Sequence, residues 1–100
     1  MLLATFRQQP VEKRRYAIDY SLRLRAGELL ATSETITIAP TSTTPLAIVS
    51  LLSPDSTQLL LYVSGGETGT TYTAQIPVTT DDIVGDVLWE DELKFIVEEL

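Results

Sequence analysis

The feature that most restricts this sequence is the shortness of its hydrophobic runs, each of which proline, glycine or a cluster of turn formers stops after about five to ten residues. Tyr16, Ile18, Tyr20, Leu22 and Leu24 alternate with Ala17, Asp19, Ser21, Arg23 and Arg25, the period-2 pattern of a strand with one buried face. Ala26 to Glu28 follow as a turn. Leu29 to Thr37 is rich in threonine and leads into Ile38, β-branched chemistry that suits a pleated surface, so a second strand ends near Pro40. Thr41 to Pro45 is a connection, and Leu46 to Leu52 is an apolar strand stopped by Ser53 and Pro54. Leu59 to Val63 is too short for a helix and reads as a core strand, with Gly65, Gly66 and Gly69 forming a hairpin or bulge turn after it. Thr71 to Thr79 restores the alternation, with Tyr72, Ala74, Ile76 and Val78 on one face. Pro77 lies inside that run and has no N–H to give to a ladder, so the strand needs an edge or a bulge there.

Asp81 to Asp86 reads as an acidic loop, and Val87 to Leu100 is the last element. Leu93, Phe95 and Val97 favour a strand, while Trp89, Leu93, Ile96 and Leu100 also fit a helical stripe. The strand is preferred, because a lone helix after so many strands would need a docking surface of its own. Six or seven short strands, spaced about 8 to 12 residues apart, are the signature of an all-β sandwich. At 100 residues the chain is the size of one domain. The sandwich is expected over residues 16–100, and residues 1–15, where Gln8 to Arg15 show neither alternation nor a helical stripe, are expected to form an N-terminal arm that orders on assembly.

The chain contains no cysteine and no histidine. Disulfides, thiolate zinc sites, thiol nucleophiles and the commonest general base are therefore excluded together. Paired carboxylates remain, Asp81 with Asp82 or Asp91 with Glu92, but acid and base work on such a pair needs a deep cleft that a chain this small rarely builds. The expectation is no enzyme and no catalytic residue. Asp81, Asp82, Asp86 and Asp91 are hard oxygen donors but lack the spacing of a calcium loop, so neither metal nor cofactor is expected. Gly65, Gly66 and Gly69 are followed by no lysine and lie between strands, which excludes a phosphate loop.

Net charge is −7, unsuited to nucleic acid. Its distribution says more than its sum: six of the seven basic residues lie in the first 25 positions and eleven of the fourteen acids after residue 30. One reading is an internal balance of solvated faces; the other is a dipolar subunit whose basic edge, carried by Lys13, Arg14 and Arg15, meets an acidic neighbour. Trp89, set among acids, is a candidate interface anchor. Met1 to Phe6 is too short a run for a signal peptide, and no stretch approaches the roughly 18 apolar residues of a membrane span, so a soluble chain assembled in a cytoplasm is expected, with no membrane partner.

Two resemblances extend this reading. Gly69-Thr70-Thr71-Tyr72-Thr73-Ala74 resembles the F strand of immunoglobulin and fibronectin type III sandwiches, in which a tyrosine near the strand start bonds back to upstream backbone; Ala74 stands where antibody domains carry cysteine. That implies an immunoglobulin-like (fibronectin III-like) sandwich and a buried Tyr72. Secondly, Leu61-Tyr62-Val63-Ser64-Gly65-Gly66-Glu67-Thr68-Gly69-Thr70-Thr71-Tyr72-Thr73, preceded by Tyr16-Ala17-Ile18-Asp19-Tyr20 and Gly27-Glu28, is similar to small fiber-tail adaptors of tailed phages. The similarity runs over most of residues 16–97 and is strongest over 59–80. The chain departs from that pattern in its longer acidic stretch, Asp81 to Glu90, and in having no arginine after Gly85. The resemblance implies a virion protein, assembled in the host cytoplasm as a homo-oligomeric ring, that joins tail or neck to fibers. A capsid cement or decoration subunit and a carbohydrate-binding module are the alternatives.

Overall fold

A computed structural model describes residues 2–33, 35–81 and 87–99. These form eight strands and no helix: β1 (Leu2–Gln8), β2 (Lys13–Asp19), β3 (Leu29–Ser33), β4 (Thr37–Ala39), β5 (Leu46–Leu52), β6 (Gln58–Gly65), β7 (Thr70–Asp81) and β8 (Val87–Val97). They make two sheets. The larger has the order β1-β8-β7-β3, with β4 also paired to β7; the smaller has the order β2-β6-β5. The fold is thus an all-β sandwich with one strand more than the spacing of turn signals indicates.

The hairpin of β7 and β8 is its spine, paired without interruption from Thr70↔Val97 to Thr80↔Val87. Period-2 alternation turns Tyr72, Ala74, Ile76, Val78 and Thr80 of β7 inward, all fully buried, against Leu93, Phe95 and Val97 of β8. Leu59, Leu61 and Val63 of β6 close the core from the other sheet. Each large apolar side chain removed from water this way stabilises the fold by about 1.5–3 kcal/mol before entropy is counted. The final element is therefore a strand, since its inward residues 91, 93, 95 and 97 are spaced by two.

Pro77 is accommodated by division of the neighbouring edge. β3 pairs with Val78 to Asp81 and β4 with Thr73 to Gln75, so Ile76 and Pro77 have no partner in either. The missing N–H falls beside a gap between two short strands. At the turn before β7, Gly65 and Gly66 both have positive φ, and added Cβ atoms would come within 2.8 Å of the Pro45 carbonyl oxygen and of Val97 Cγ2 respectively. Only glycine fits both the backbone conformation and the space.

Two expectations change. The strand expected from Tyr16 onward, β2, ends at Asp19 and does not continue to Arg25, because the Asp19 carboxylate accepts the Ser21 N–H and the N–H groups of Arg23 and Leu24 turn back to the Tyr20 carbonyl. Leu22, on the alternating face in the sequence, is in consequence 99% exposed. Nor is the 1–15 segment a free arm in this fold: β1 runs parallel to β8, from Leu2↔Glu92 to Gln8↔Val97, and β2 already begins at Lys13. Leu3, Ala4 and Phe6 pack on the core. A parallel partner about 90 residues away leaves no local mark in a sequence, and that is why the strand is not legible there.

Candidate interaction surfaces

Lys13, Arg14 and Arg15 open β2, and all three are exposed. Their backbone is held from beneath. Gln8, at the end of β1, is buried, and its amide Nε2 donates to the Val63 carbonyl at 3.0 Å and to the Glu12 carbonyl at 3.3 Å, while its Oε1 accepts the Tyr16 hydroxyl at 3.1 Å. Both functions of a buried amide are thereby satisfied, as burial requires. The Glu12 carboxylate accepts the Gln9 N–H and closes the turn into β2. Phe6, Tyr16 and Phe95 cluster under it, with ring centroids 4.4 and 5.6 Å apart. Burial, the larger effect, raises the Tyr16 phenol above its ordinary pKa, against the lowering pull of Arg14. The basic triad thus stands on a fixed strand end.

The charge asymmetry divides between the two readings. Arg7 pairs with Glu98 at 2.6 Å and Arg23 with Asp91 at 2.5 Å, each joining the basic first part of the chain to the acidic remainder. Lys13, Arg14 and Arg15 have no ion pair among the described residues.

Trp89 is at the opposite end of the sandwich from this triad. It points to the inner side of β8, half-buried, and stacks on Tyr20 with centroids 5.6 Å apart and planes 6° from parallel. The Arg23 guanidinium lies 4.5 Å from the Trp89 centroid and 5.2 Å from that of Tyr20. Within the molecule the indole thus makes one ring stack and one cation–π contact. Tyr20 is completely buried, and its hydroxyl has no hydrogen-bond partner among the described residues. Desolvation first, with the nearby Asp91 charge second, pushes its pKa up to about 12.

Asp91 and Glu92 do not converge. Asp91 is buried beneath Arg23, whereas Glu92, next in the strand, faces outward and accepts from Gln75 Nε2 at 2.9 Å. Adjacent strand residues point to opposite faces. Of the calcium candidates, Asp81 ends β7, and Asp82 and Asp86 lie outside the described residues.

At the triad's end of the sandwich, Tyr72 behaves as its F-strand resemblance implies. It is fully buried; the Glu67 N–H donates to its hydroxyl at 2.9 Å, and the hydroxyl lies 2.7 Å from Ser42 Oγ, which donates to the Thr44 carbonyl.

Sequence reasoning missed one surface. On the outer face of the small sheet, Val49 is 62% and Leu51 48% exposed, in rows with Tyr62 and Leu60 of β6 and Arg15 and Ala17 of β2. The absence of any charge from 46 to 52 is the signal that marks it.

A family model described as Podophage GP4 fiber-tail adaptor protein gp77 matches residues 8–92 of the chain. No curated protein and no solved structure matches it.

Proposed function

The chain belongs to the podophage GP4 fiber-tail adaptor family, and from that premise we propose that it is a virion component which joins a tail or neck protein to a fiber, several copies forming a ring. The family is one of adaptors and not of enzymes. The match over residues 8–92 is the observation that carries this reading. It spans β2 to β7 whole and takes in both the exposed basic strand end and the charged end opposite.

The immunoglobulin-like identity of the sandwich is part of the proposal. It is supported by strand order, since β2, β6 and β5 face β3/β4, β7 and β8 as strands B, E and D face C, F and G in that architecture. The Tyr72 bond to upstream backbone gives it independent support. In this reading Lys13, Arg14 and Arg15 contact an acidic surface of a neighbouring virion protein. Trp89 adds an apolar rim at the far end.

Labelled virions test the whole. Quantitative mass spectrometry of purified particles, with antibody labelling by electron microscopy, should find the chain at the tail or neck in a fixed multiple of a ring symmetry. Hundreds of copies over the capsid would assign a cement protein, and none would end the structural reading. Substitution of Lys13, Arg14 and Arg15 by glutamate should reduce incorporation, and the wild-type contact should weaken with salt, because exposed charges are screened over about 8–10 Å. The thermal melt of the subunit should be unchanged.

A further inference from the structure

The small sheet turns one face to the core and the other to solvent. Tyr16 and Ile18 of β2, Leu59 and Leu61 of β6 and Ile48 of β5 pack inward, so the residues of opposite parity point out. The strand registers set these outward residues in crosswise rows. Arg15, Tyr62 and Val49 make one row and Ala17, Leu60 and Leu51 the next, with Lys13 beyond the first and Asp19 beyond the second. β3 passes beside β5 at the flank of the sandwich, and with it in place Val49 and Leu51 remain 62% and 48% exposed.

Apolar residues hold the middle of this face, and charges stand toward its two ends. Among the outward residues of the three strands the charged ones are Lys13, Arg15 and Asp19, two cations and one anion in a chain of net charge −7. Two copies therefore repel each other little across it. Lys13 and Arg15 have no ion pair among the described residues. The Asp19 carboxylate accepts the Ser21 N–H, which holds its carboxyl below the ordinary range, so the group is ionised at neutral pH.

We propose that the outer face of β2-β6-β5 packs on the same face of a second copy, about a two-fold axis that lies in the interface and crosses β2 at the level of Tyr16, so that facing strands run in opposite senses. This goes beyond the adaptor reading, since it concerns how copies of the chain meet each other, whichever virion proteins they join. Arg14, of the other parity on β2, is left to the acidic neighbour proposed above.

The face is complementary to itself, and that selects a second copy as its occupant. Reversal of the rows lays Tyr62 over Leu60 and Val49 over Leu51 of the second copy, so the apolar middles meet. It also lays Lys13 over Asp19 of the second copy, twice by symmetry. Facing sheets lie about 10 Å apart, a gap that a lysine and a carboxylate reaching toward each other close between them. The other in-plane two-fold, along the strands, would lay Lys13 on Ala47 and Arg15 on Val49 and leave both cations against apolar side chains without an anion. Charge thus decides between the two arrangements. An apolar middle with a charged rim is the anatomy of an association surface. Three strands of seven residues span roughly 14 by 23 Å, less than the ~800 Å² that each partner gives to an interface of standard size, so the dimer is a weak one that forms at high local concentration.

Sedimentation equilibrium of the untagged full-length chain, carried to millimolar concentration, should show a reversible dimer. Val49→Lys should weaken it by at least about tenfold, since a cation then enters the apolar middle. Lys13→Glu and Asp19→Lys should each weaken it by about tenfold, because each sets like charges together at both rim contacts. An equimolar mixture of these two variants should recover wild-type association, because opposite charges then meet at both contacts. Asp19→Asn, which keeps an oxygen for the Ser21 N–H, should weaken the dimer by a smaller factor and reads the charge apart from the turn. All three positions are exposed, so circular dichroism of the variants should match wild type. A wild-type chain that stays monomeric, or a dimer that Val49→Lys leaves unchanged, would overturn the proposal, and folded charge variants whose mixture fails to recover would overturn the two-fold. A monomer found at the tail of virions would end this inference and leave the adaptor reading standing; a dimer of this design that is absent from virions would do the reverse.

Discussion

The two ends of the sandwich each bury a tyrosine completely, and they treat its hydroxyl in opposite ways. At the basic end the Tyr72 hydroxyl is one link in a chain from the Glu67 N–H through Ser42 to the Thr44 carbonyl. At the acidic end the Tyr20 hydroxyl has no partner among the described residues, and the ring is held by the Trp89 stack and the Arg23 guanidinium, which Asp91 in turn holds. One end is specified by directional hydrogen bonds to backbone, and the other by stacked rings and an ion pair whose carboxylate is removed from water. A bonded phenol fixes a turn in one geometry, whereas a stack and a cation tolerate small displacements.

Tyr72→Ala should have the largest effect. It removes a fully buried ring and the hydroxyl that receives the Glu67 N–H, so a denaturant melt should show a loss of about 3–5 kcal/mol. A loss below 1 kcal/mol would break the contrast, because the basic end would then not depend on its tyrosine.

Arg23→Ala is next. Its partner Asp91 has a side chain only 3% exposed, and removal of the guanidinium leaves that carboxylate buried without its cation, at a cost of about 3 kcal/mol. The companion Arg23→Met, which retains much of the contact with the rings but not the charge, should lose nearly as much if the ion pair dominates and markedly less if stacking does.

The smallest effects compare the hydroxyls themselves. At neutral pH Tyr72→Phe should cost on the order of 1 kcal/mol, while Tyr20→Phe should change stability by no more than about 0.5 kcal/mol, because no bond is lost. The alkaline arm gives the sign of the same difference. Tyr20 has a folded pKa of about 12 against an ordinary value of about 10, so between those values the folded chain retains a proton that the unfolded chain releases. Its contribution is complete below pH 10 and is lost as pH rises through about 12, a slope that Tyr20→Phe should lack. Parallel alkaline melts of wild type and Tyr20→Phe would show that the Tyr20 hydroxyl is solvated after all.

Much of this was legible in the sequence wherever alternation is strict. Thr71 to Thr79 has period 2 with large apolar residues on one parity, and the inward face of β7 carries those same residues. Leu46 to Leu52 coincides with β5 to the residue, because prolines bound it on both sides. Tyr72 was recognisable from the resemblance of residues 69–74 to an F strand. The alternation from Tyr16 to Leu24, by contrast, overran its strand, since nothing in the pattern shows that Asp19 caps a turn. Of the candidate interface residues, the exposed triad was legible as a cluster of like charge. Trp89 was marked by its acidic neighbours, but its stack on Tyr20 was not visible.

What the sequence determined by itself is the all-β class, most strand positions, and which parity of each strand is buried. These depend on short-range properties: side chains alternate along an extended backbone, and glycine and proline interrupt it. The tertiary structure alone decided the partnerships. β1 lies beside β8, β3 and β4 divide one flank of β7 around Pro77, and Arg23 reaches Asp91. Each of these joins residues far apart in the chain. A strand's own pattern specifies which face it must bury but not the neighbour that buries it, because backbone hydrogen bonds are the same for every partner and only the packing of the whole core selects among them.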